Sequence, residues 1–206
     1  MVKEVIFDFD GTVADSFDII MSIFSKFKCD LGLDNFGEKE IKIYRTKGVE
    51  EILKNSKVSM LKINKIIGEM RKEANETMLK ARPFDGIISI LREMKKRGLT
   101  LGIMSTNGEK TINKFLEINK IKAFDYVIGK GSLLGKDKVI KSILRKRKLK
   151  TDEVLYIGDE VRDIKACKKL GIKIVAVTWG FNTKSILEEN NPDYLVDSPK
   201  EILGVF

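Results

Sequence analysis

Residues 5–16 read VIFDFDGTVADS, and this stretch decides the fold of the chain. It begins with three β-branched or aromatic residues, which predict a buried strand. Two carboxylates follow at Asp8 and Asp10, and because alternate residues of an extended strand point the same way, both can face one pocket. Two negative charges this close repel each other unless a cation or a substrate compensates them, which favours a divalent ion and a carboxylate nucleophile. The alternative is a strand that ends in an acidic turn.

Length and composition predict a folded, soluble protein. The 206 residues suffice for one sizeable core, or for a core plus a small inserted domain. A hydrophobic content of 43% and a charged content of 33% are typical of globular proteins and not of disordered ones. No apolar run approaches the roughly 20 residues that span a bilayer, and no signal peptide is visible. We therefore expect a cytoplasmic protein, monomeric or dimeric, without a membrane partner.

The chain contains no histidine, which excludes every mechanism that uses imidazole as a base, nucleophile or metal ligand. Carboxylates and lysines are left to carry the chemistry. The two cysteines, Cys29 and Cys167, lie far apart and lack metal-ligand spacing, so we expect reduced thiols.

The formal net charge of +9 raises the possibility of a nucleic-acid partner. The basic residues, however, are spread over the whole chain, and the densest run, residues 145–148, falls in a helical pattern whose buried face is Ile140 and Ile143. We therefore expect a solvated helix face and no nucleic acid. A basic nucleic-acid-binding module with a degenerate core is the alternative from a different class.

The chain divides into two parts with different sequence patterns. Residues 16–82 lack proline and show helical spacing of apolar residues, with one helix along 17–27, two shorter ones at 41–44 and 49–53, and a last one along 63–79. From Pro83 onward, strands alternate with helices, which predicts parallel pairing with right-handed crossovers. The sequence thus predicts an α/β fold: a Rossmann-like parallel sheet core flanked by helices (residues 1–15 and 83–206) with an inserted all-α cap domain (residues 16–82).

The predicted core contains two candidate phosphate-binding groups. In a parallel sheet the ligand crevice lies at the carboxyl ends of the strands, so groups at these ends are the candidates. Ser105, Thr106 and Asn107 end the strand at 99–104, where a hydroxyl and backbone N–H groups can form an anion cradle. Helix capping is the alternative there, and Ser105 and Thr106 compete as the binding hydroxyl. The second candidate is a lysine that would hold the phosphoryl oxygens. Lys136 lies at the start of a predicted helix, directly after Gly135, and Lys130 and Lys138 are the alternative lysines for this role.

A second acidic pair lies in GDEVRD, residues 158–163. Asp159 falls at a strand tip and Asp163 about one helical turn later, so both carboxylates can approach one metal. Hard oxygen ligands without histidine or cysteine suit Mg²⁺. The alternative makes Asp159 a helix cap and Asp163 a partner for a neighbouring lysine or arginine.

In this order, the four motifs resemble those of the haloacid dehalogenase-like superfamily, which consists mostly of magnesium-dependent phosphatases. The first motif is DFDGTV at residues 8–13, and the segment VTWGFNT at residues 177–183 resembles the phosphoglycolate-phosphatase-like branch. Residues 16–82 are similar to the small helical cap of many members. One departure is Asp137, since the family more often has proline directly after the lysine.

The resemblance implies an aspartyl-phosphate mechanism. Asp8 would be the nucleophile, and Asp10 would protonate the leaving group and then activate water. Ser105 and Lys136, with Thr106 and Asn107 beside the serine, would hold the phosphoryl group. Thr12 would shape the turn and tune Asp10.

The resemblance also implies bound Mg²⁺. Its ligands would be Asp8, the backbone carbonyl of Asp10 and Asp159, with Asp163 ligating directly or through water.

The substrate depends on the cap. Arg45 and Lys47 lie at an interhelical turn and predict a small anionic phosphomonoester if they face the active site; otherwise they are a solvated helix end. A sugar-phosphate mutase, a pyrophosphatase and a nucleotidase are the alternatives on the same core.

Overall fold

The computed structural model describes residues 1–33, 37–47, 51, 58–129 and 135–206. Lys130, Gly48 and most of the helix expected at 49–53 lie outside these ranges. The described strands are β1 (Glu4–Asp8), β2 (Ala14–Asp15), β3 (Arg82–Pro83), β4 (Thr100–Met104), β5 (Tyr126–Ile128), β6 (Val154–Gly158), β7 (Lys173–Val177) and β8 (Tyr194–Val196).

The described α-helices are α1 (Phe17–Lys26), α2 (Glu38–Lys47), α3 (Met60–Thr77), α4 (Ile87–Lys96), α5 (Glu109–Ile118), α6 (Lys136–Arg147), α7 (Val161–Leu170) and α8 (Lys184–Glu189). Short 3₁₀ segments cover Met78–Lys80, Thr151–Glu153 and Pro199–Val205, so the brief terminal helix expected from Ser198 is a 3₁₀ helix. None of the helices in the described ranges is long and apolar enough to cross a membrane.

Six strands form one sheet in the order β5-β4-β1-β6-β7-β8, and all neighbours in it are parallel. The residues of β1 alternate between its two faces, as the pleat of a strand requires. Val5 and Phe7 join the apolar cluster that α4 and α5 cover, whereas Ile6 joins the cluster that α6, α7 and α8 cover. The predicted fold class, a parallel sheet flanked by helices with an inserted helical cap, is confirmed.

The strand order places a switch point beside β1. From β1 the chain moves outward to β4 and β5, and then returns to β6 on the other side of β1 before it continues to β7 and β8. In open α/β sheets the ligand crevice lies at the carboxyl ends of the strands where the order reverses. Asp8 ends β1 and Asp159 directly follows β6, so both lie at this point.

The segment between β2 and β3 packs onto the core. These two short strands pair antiparallel, Ala14 with Pro83 and Asp15 with Arg82, so the chain leaves and re-enters the core side by side. The apolar cluster on the α4 side of the sheet continues into α1 and α3 through side chains such as Met21. The division at residues 15/16 and 82/83 stays a prediction.

Gly102 in β4 tests the packing of the sheet edge. A Cβ at this position would lie 2.0 Å from Cζ of Tyr126, whose hydroxyl donates to Glu4 at 2.6 Å and whose ring lies under the Arg147 guanidinium. Because the ring is held on two sides, we expect Gly102→Ala to lower the free energy of unfolding by about 1–3 kcal/mol. Urea denaturation measures this change.

Gly68→Ala is the matched control, since Gly68 lies within α3 and a Cβ there meets nothing within 4 Å. It should stabilise the protein by about 0.5–1 kcal/mol, because alanine loses less backbone entropy in a helix. A Gly102→Ala variant as stable as the wild type would show that the Tyr126 ring moves freely.

Candidate active site

The turn after β1 positions Asp8 and Asp10, the two carboxylates that the sequence predicts to be catalytic. The backbone N–H groups of residues 12–14 all donate to the Phe9 carbonyl, at 2.9–3.4 Å, and the Phe9 N–H donates to Asp8 Oδ1 at 2.8 Å. Gly11 has φ +71°, and a Cβ on it would lie 2.2 Å from Asp159 Oδ2. Glycine is therefore required both for the left-handed turn and for the close approach of the second acidic motif.

Asp10 receives hydrogen bonds on both carboxylate oxygens. Ser16 Oγ donates to Oδ1 at 3.0 Å, while Asn107 Nδ2 and Ser105 Oγ donate to Oδ2 at 2.8 and 3.5 Å. Burial, followed by repulsion from Asp8, raises the pKa of Asp10 to about 7, although the hydrogen bonds act in the opposite direction. A carboxyl that titrates near neutrality can both give and take a proton in one catalytic cycle.

Lys136 bridges the two acidic motifs. Its Nζ donates to Asp8 Oδ2 at 2.5 Å and also to Asp163 Oδ1, and all three side chains are buried. Burial alone would lower the pKa of Lys136, but the negative charges of Asp163 and Asp8 outweigh it and raise the pKa. The lysine therefore stays cationic, whereas its competitor Lys138 is exposed.

Asp159 is completely buried behind the turn. Thr12 Oγ1 donates to its Oδ1 at 2.7 Å and the Phe181 N–H donates to its Oδ2 at 2.8 Å. Burial raises the pKa of Asp159 well above its ordinary value, with repulsion from Glu160 and Asp8 as the next causes.

Three carboxylates form a cluster that suits a divalent ion. The oxygens of Asp8, Glu160 and Asp163 lie within 4.8 Å of one another, and all three residues are buried. The Glu160 N–H donates to Asp163 Oδ2 at 3.2 Å at the start of α7. Hard oxygen donors without sulphur or imidazole fit Mg²⁺.

Negative charge is in excess here among the described residues. Five carboxyl groups face two cations: Asp8, Asp10, Asp159, Glu160 and Asp163 against Lys136 and Arg162. Such an excess in a water-poor site favours uptake of a cation.

Residues 5–177 match the family of haloacid dehalogenase-like hydrolases. The chain belongs to this family. It is similar to a phosphoglycolate phosphatase of Synechococcus elongatus, with 28% identity over 203 residues that cover 98% of this chain and 96% of the relative. A pyrophosphatase PpaX of Bacillus mycoides is 23% identical over 211 residues, which cover 99% of this chain and 96% of the relative.

Among solved structures, a haloacid dehalogenase-like family hydrolase from Streptococcus pneumoniae superposes with a TM-score of 0.82 and 27% identity, covering 100% of this chain and 98% of that one. The predictions of the superfamily and of a phosphatase-type enzyme are confirmed at this level. The predicted roles of the individual site residues stay predictions.

Two residues of the haloacid dehalogenase-like hydrolase site were missed by the sequence reasoning. Glu160 and Arg162 lie within the GDEVRD stretch, where only the two aspartates were considered. Arg162 Nε donates to Glu160 Oε2 at 2.5 Å, and the hydroxyl of Tyr44, from α2, donates to Glu160 Oε1 at 3.3 Å. Glu160 therefore links the acidic cluster to the cap. The high density of charged residues in GDEVRD was the sequence signal that could have indicated a role for Glu160 and Arg162.

Asn182 makes a second connection between cap and core. Its Nδ2 donates to the carbonyls of Tyr44 and Arg45 at 3.1 and 3.3 Å, and its Oδ1 accepts from the Val161 N–H at 2.8 Å. The side chain thus ties α2 to the start of α7, the helix that carries Asp163.

The two predicted substrate-binding residues of the cap are absent from the lining of the cavity beside Asp10, and their role stays a prediction. The Arg45 guanidinium lies over the Phe17 ring, 4.8 Å from its centroid, and Lys47 is exposed at the end of α2. Thr106, in contrast, does line this cavity, together with Asn107, while Ser105 is buried behind them.

Replacement of Lys136 tests the charge balance of the site. We expect Lys136→Met to lower the free energy of unfolding by about 3 kcal/mol, because it leaves two buried carboxylates without their partner. Urea denaturation in EDTA measures this loss without a contribution from bound metal. The control is Lys138→Met, which removes an exposed lysine from the same helix and should change stability by less than about 0.5 kcal/mol. Equal stability of the two variants would contradict the bridging role.

Proposed function

We propose that this enzyme is a Mg²⁺-dependent phosphatase that hydrolyses a small phosphomonoester through an aspartyl-phosphate on Asp8. The observation that carries the proposal is the pairing of Asp8, held by Lys136, with Asp10, whose pKa is raised to about 7. The Lys136 ammonium thus lies against the proposed nucleophile, and the Asp10 carboxyl is able to carry a proton.

In the first half of the reaction, a carboxylate oxygen of Asp8 attacks phosphorus and the bond from phosphorus to the leaving oxygen breaks. Asp10 donates its proton to that oxygen, so the product leaves as a neutral alcohol. The hydrogen bonds from Ser16 and Asn107 hold the Asp10 carboxyl in position for this transfer.

In the second half, the Asp10 carboxylate takes a proton from water, and the resulting hydroxide attacks the aspartyl-phosphate. Phosphate leaves and the Asp8 carboxylate is regenerated. Lys136, with Ser105 and Thr106 at the end of β4, supplies charge and hydrogen bonds to the phosphoryl oxygens.

The residues that would hold Mg²⁺ are Asp8 and Asp163, with Glu160 in the same cluster, together with Asp159 and the Asp10 carbonyl as the family resemblance implies. When bound, the ion supplies positive charge against the phosphoryl oxygens. The Thr12 hydroxyl orients the Asp159 carboxylate.

The substrate we infer is a small phosphorylated metabolite in the cytoplasm, not nucleic acid. The resemblance to a phosphoglycolate phosphatase supports a phosphomonoester. Pyrophosphate is the second candidate, because a pyrophosphatase PpaX is similar over almost the whole chain. Sugar-phosphate mutase and nucleotidase activities are the remaining alternatives on the same core. We propose that the protein is a monomer or a dimer.

Asp8→Asn tests the nucleophile. Because the amide is not nucleophilic but keeps the size of the side chain, we expect phosphate release from para-nitrophenyl phosphate to fall by at least about 10³-fold. EDTA should abolish wild-type turnover, and added Mg²⁺ should restore it. Asp152→Asn, an exposed change outside the site, is the control and should leave the rate unchanged. Substantial activity of Asp8→Asn, or full activity in EDTA, would refute the mechanism.

Asp10→Asn separates the two half-reactions. Para-nitrophenolate needs no proton to leave, so Asp8 can still be phosphorylated, whereas water loses its base. We expect phosphate to accumulate covalently on the protein after acid quenching, detected by intact mass. The double variant with Asp8→Asn should carry no phosphate. A phosphate found on the double variant would identify another nucleophile.

A further inference from the structure

A cavity between cap and core is lined by the Asp10 carboxyl, the group that would protonate the leaving oxygen of a phosphomonoester. Asn107 and Thr106 line it from the core, next to Asp10. The cap lines it with Tyr44 from α2, whose hydroxyl donates to Glu160, and with six apolar side chains from two further helices: Ile20, Ile23 and Phe24 from α1, and Ile67, Met70 and Ala74 from α3. The cap side of the cavity is thus mostly hydrocarbon.

We propose that the preferred substrate carries a small apolar leaving group, an inference that rests on the proposed phosphatase function. The group attached to the phosphate would be a short branched alkyl or an aryl group and not a carboxylate or a polyol. This differs from the small anionic substrate that Arg45 and Lys47 suggested.

The charges around the cavity support this choice. Arg162 is the one cation among the described lining residues, and its charge is taken up by Glu160, which is buried beside it. Arg45 faces the Phe17 ring instead. A carboxylate placed in this cavity would lose its water, would face Asp10, and would find no uncompensated positive charge in the described part of the lining.

An apolar leaving group gains binding free energy in this cavity, whereas a carboxylate loses it. The methyl groups of the apolar leaving group leave water and pack against the apolar side chains of α1 and α3, which favours binding. A polyol would leave its hydroxyl groups without partners along α1 and α3, which costs binding free energy in the same direction. The cavity therefore discriminates by polarity.

Two substrates of nearly equal shape test the proposal. Phosphoglycolate and isobutyl phosphate have the same number of non-hydrogen atoms and the same branching, but two carboxylate oxygens in one replace two methyl groups in the other. With Mg²⁺ present, we expect kcat/KM for isobutyl phosphate to exceed that for phosphoglycolate by at least about tenfold. Glycerol 3-phosphate, as the polyol, should also be disfavoured.

A variant of the cavity wall tests whether this cavity causes the preference for isobutyl phosphate. Ile67→Lys places a cation in the partly exposed wall of α3, and we expect it to shift the ratio of the two kcat/KM values toward phosphoglycolate by at least about tenfold. Leu61→Lys is the matched control on the same helix, where the side chain is 84% exposed and outside the cavity lining, and the ratio should not change.

Each outcome decides a different point. Equal kcat/KM values, or a preference for phosphoglycolate or glycerol 3-phosphate, would overturn the apolar cavity while the phosphatase stands. An unchanged ratio in folded Ile67→Lys would place the leaving group elsewhere and also overturn the inference. If Ile67→Lys fails to fold, the wild-type ratio alone decides. Absence of phosphate release from all three esters and from para-nitrophenyl phosphate would refute the proposed function itself.

Discussion

The active site depends on holding several carboxylates side by side at the carboxyl ends of two neighbouring strands. Burial, followed by repulsion from neighbouring carboxylates, raises the pKa values of Asp10, Asp159 and Asp163. Lys136 offsets part of this charge because it contacts both acidic motifs at once. The remaining excess of negative charge suits the site to a cation, and a bound cation would in turn offset the negative charge of a phosphoryl group.

The fold makes this arrangement possible through the position of β1. As a central strand it is paired on both sides, with β4 and with β6, so its end is fixed by two registers. The turn that follows packs Gly11 directly against Asp159. Strong backbone pairing and close packing thus hold groups that would otherwise separate, which is how strained functional sites are maintained in stable folds.

The cap is joined to this charge cluster and does not merely lie above it. Tyr44 donates to Glu160, and Asn182 donates to carbonyls of α2, so the cap is bonded to the helix start that bears Asp163. Apolar side chains of α1 and α3 line the cavity at Asp10. Under the proposed function, both the selection of the substrate by polarity and the transfer of a proton would involve the Asp10 carboxyl.

The sequence by itself determined the local features. The strand and helix periods, the glycine after the first acidic pair, and the order of the motifs predicted the α/β core, the inserted helices and the family. Tertiary structure alone decided which side chains meet. Lys136 reaches Asp8 across 128 residues and Tyr44 reaches Glu160 across 116, whereas Arg45 turns onto Phe17. The physical reason is that periodicity fixes the face on which a residue lies, but its partner depends on how distant elements pack, which no local pattern encodes.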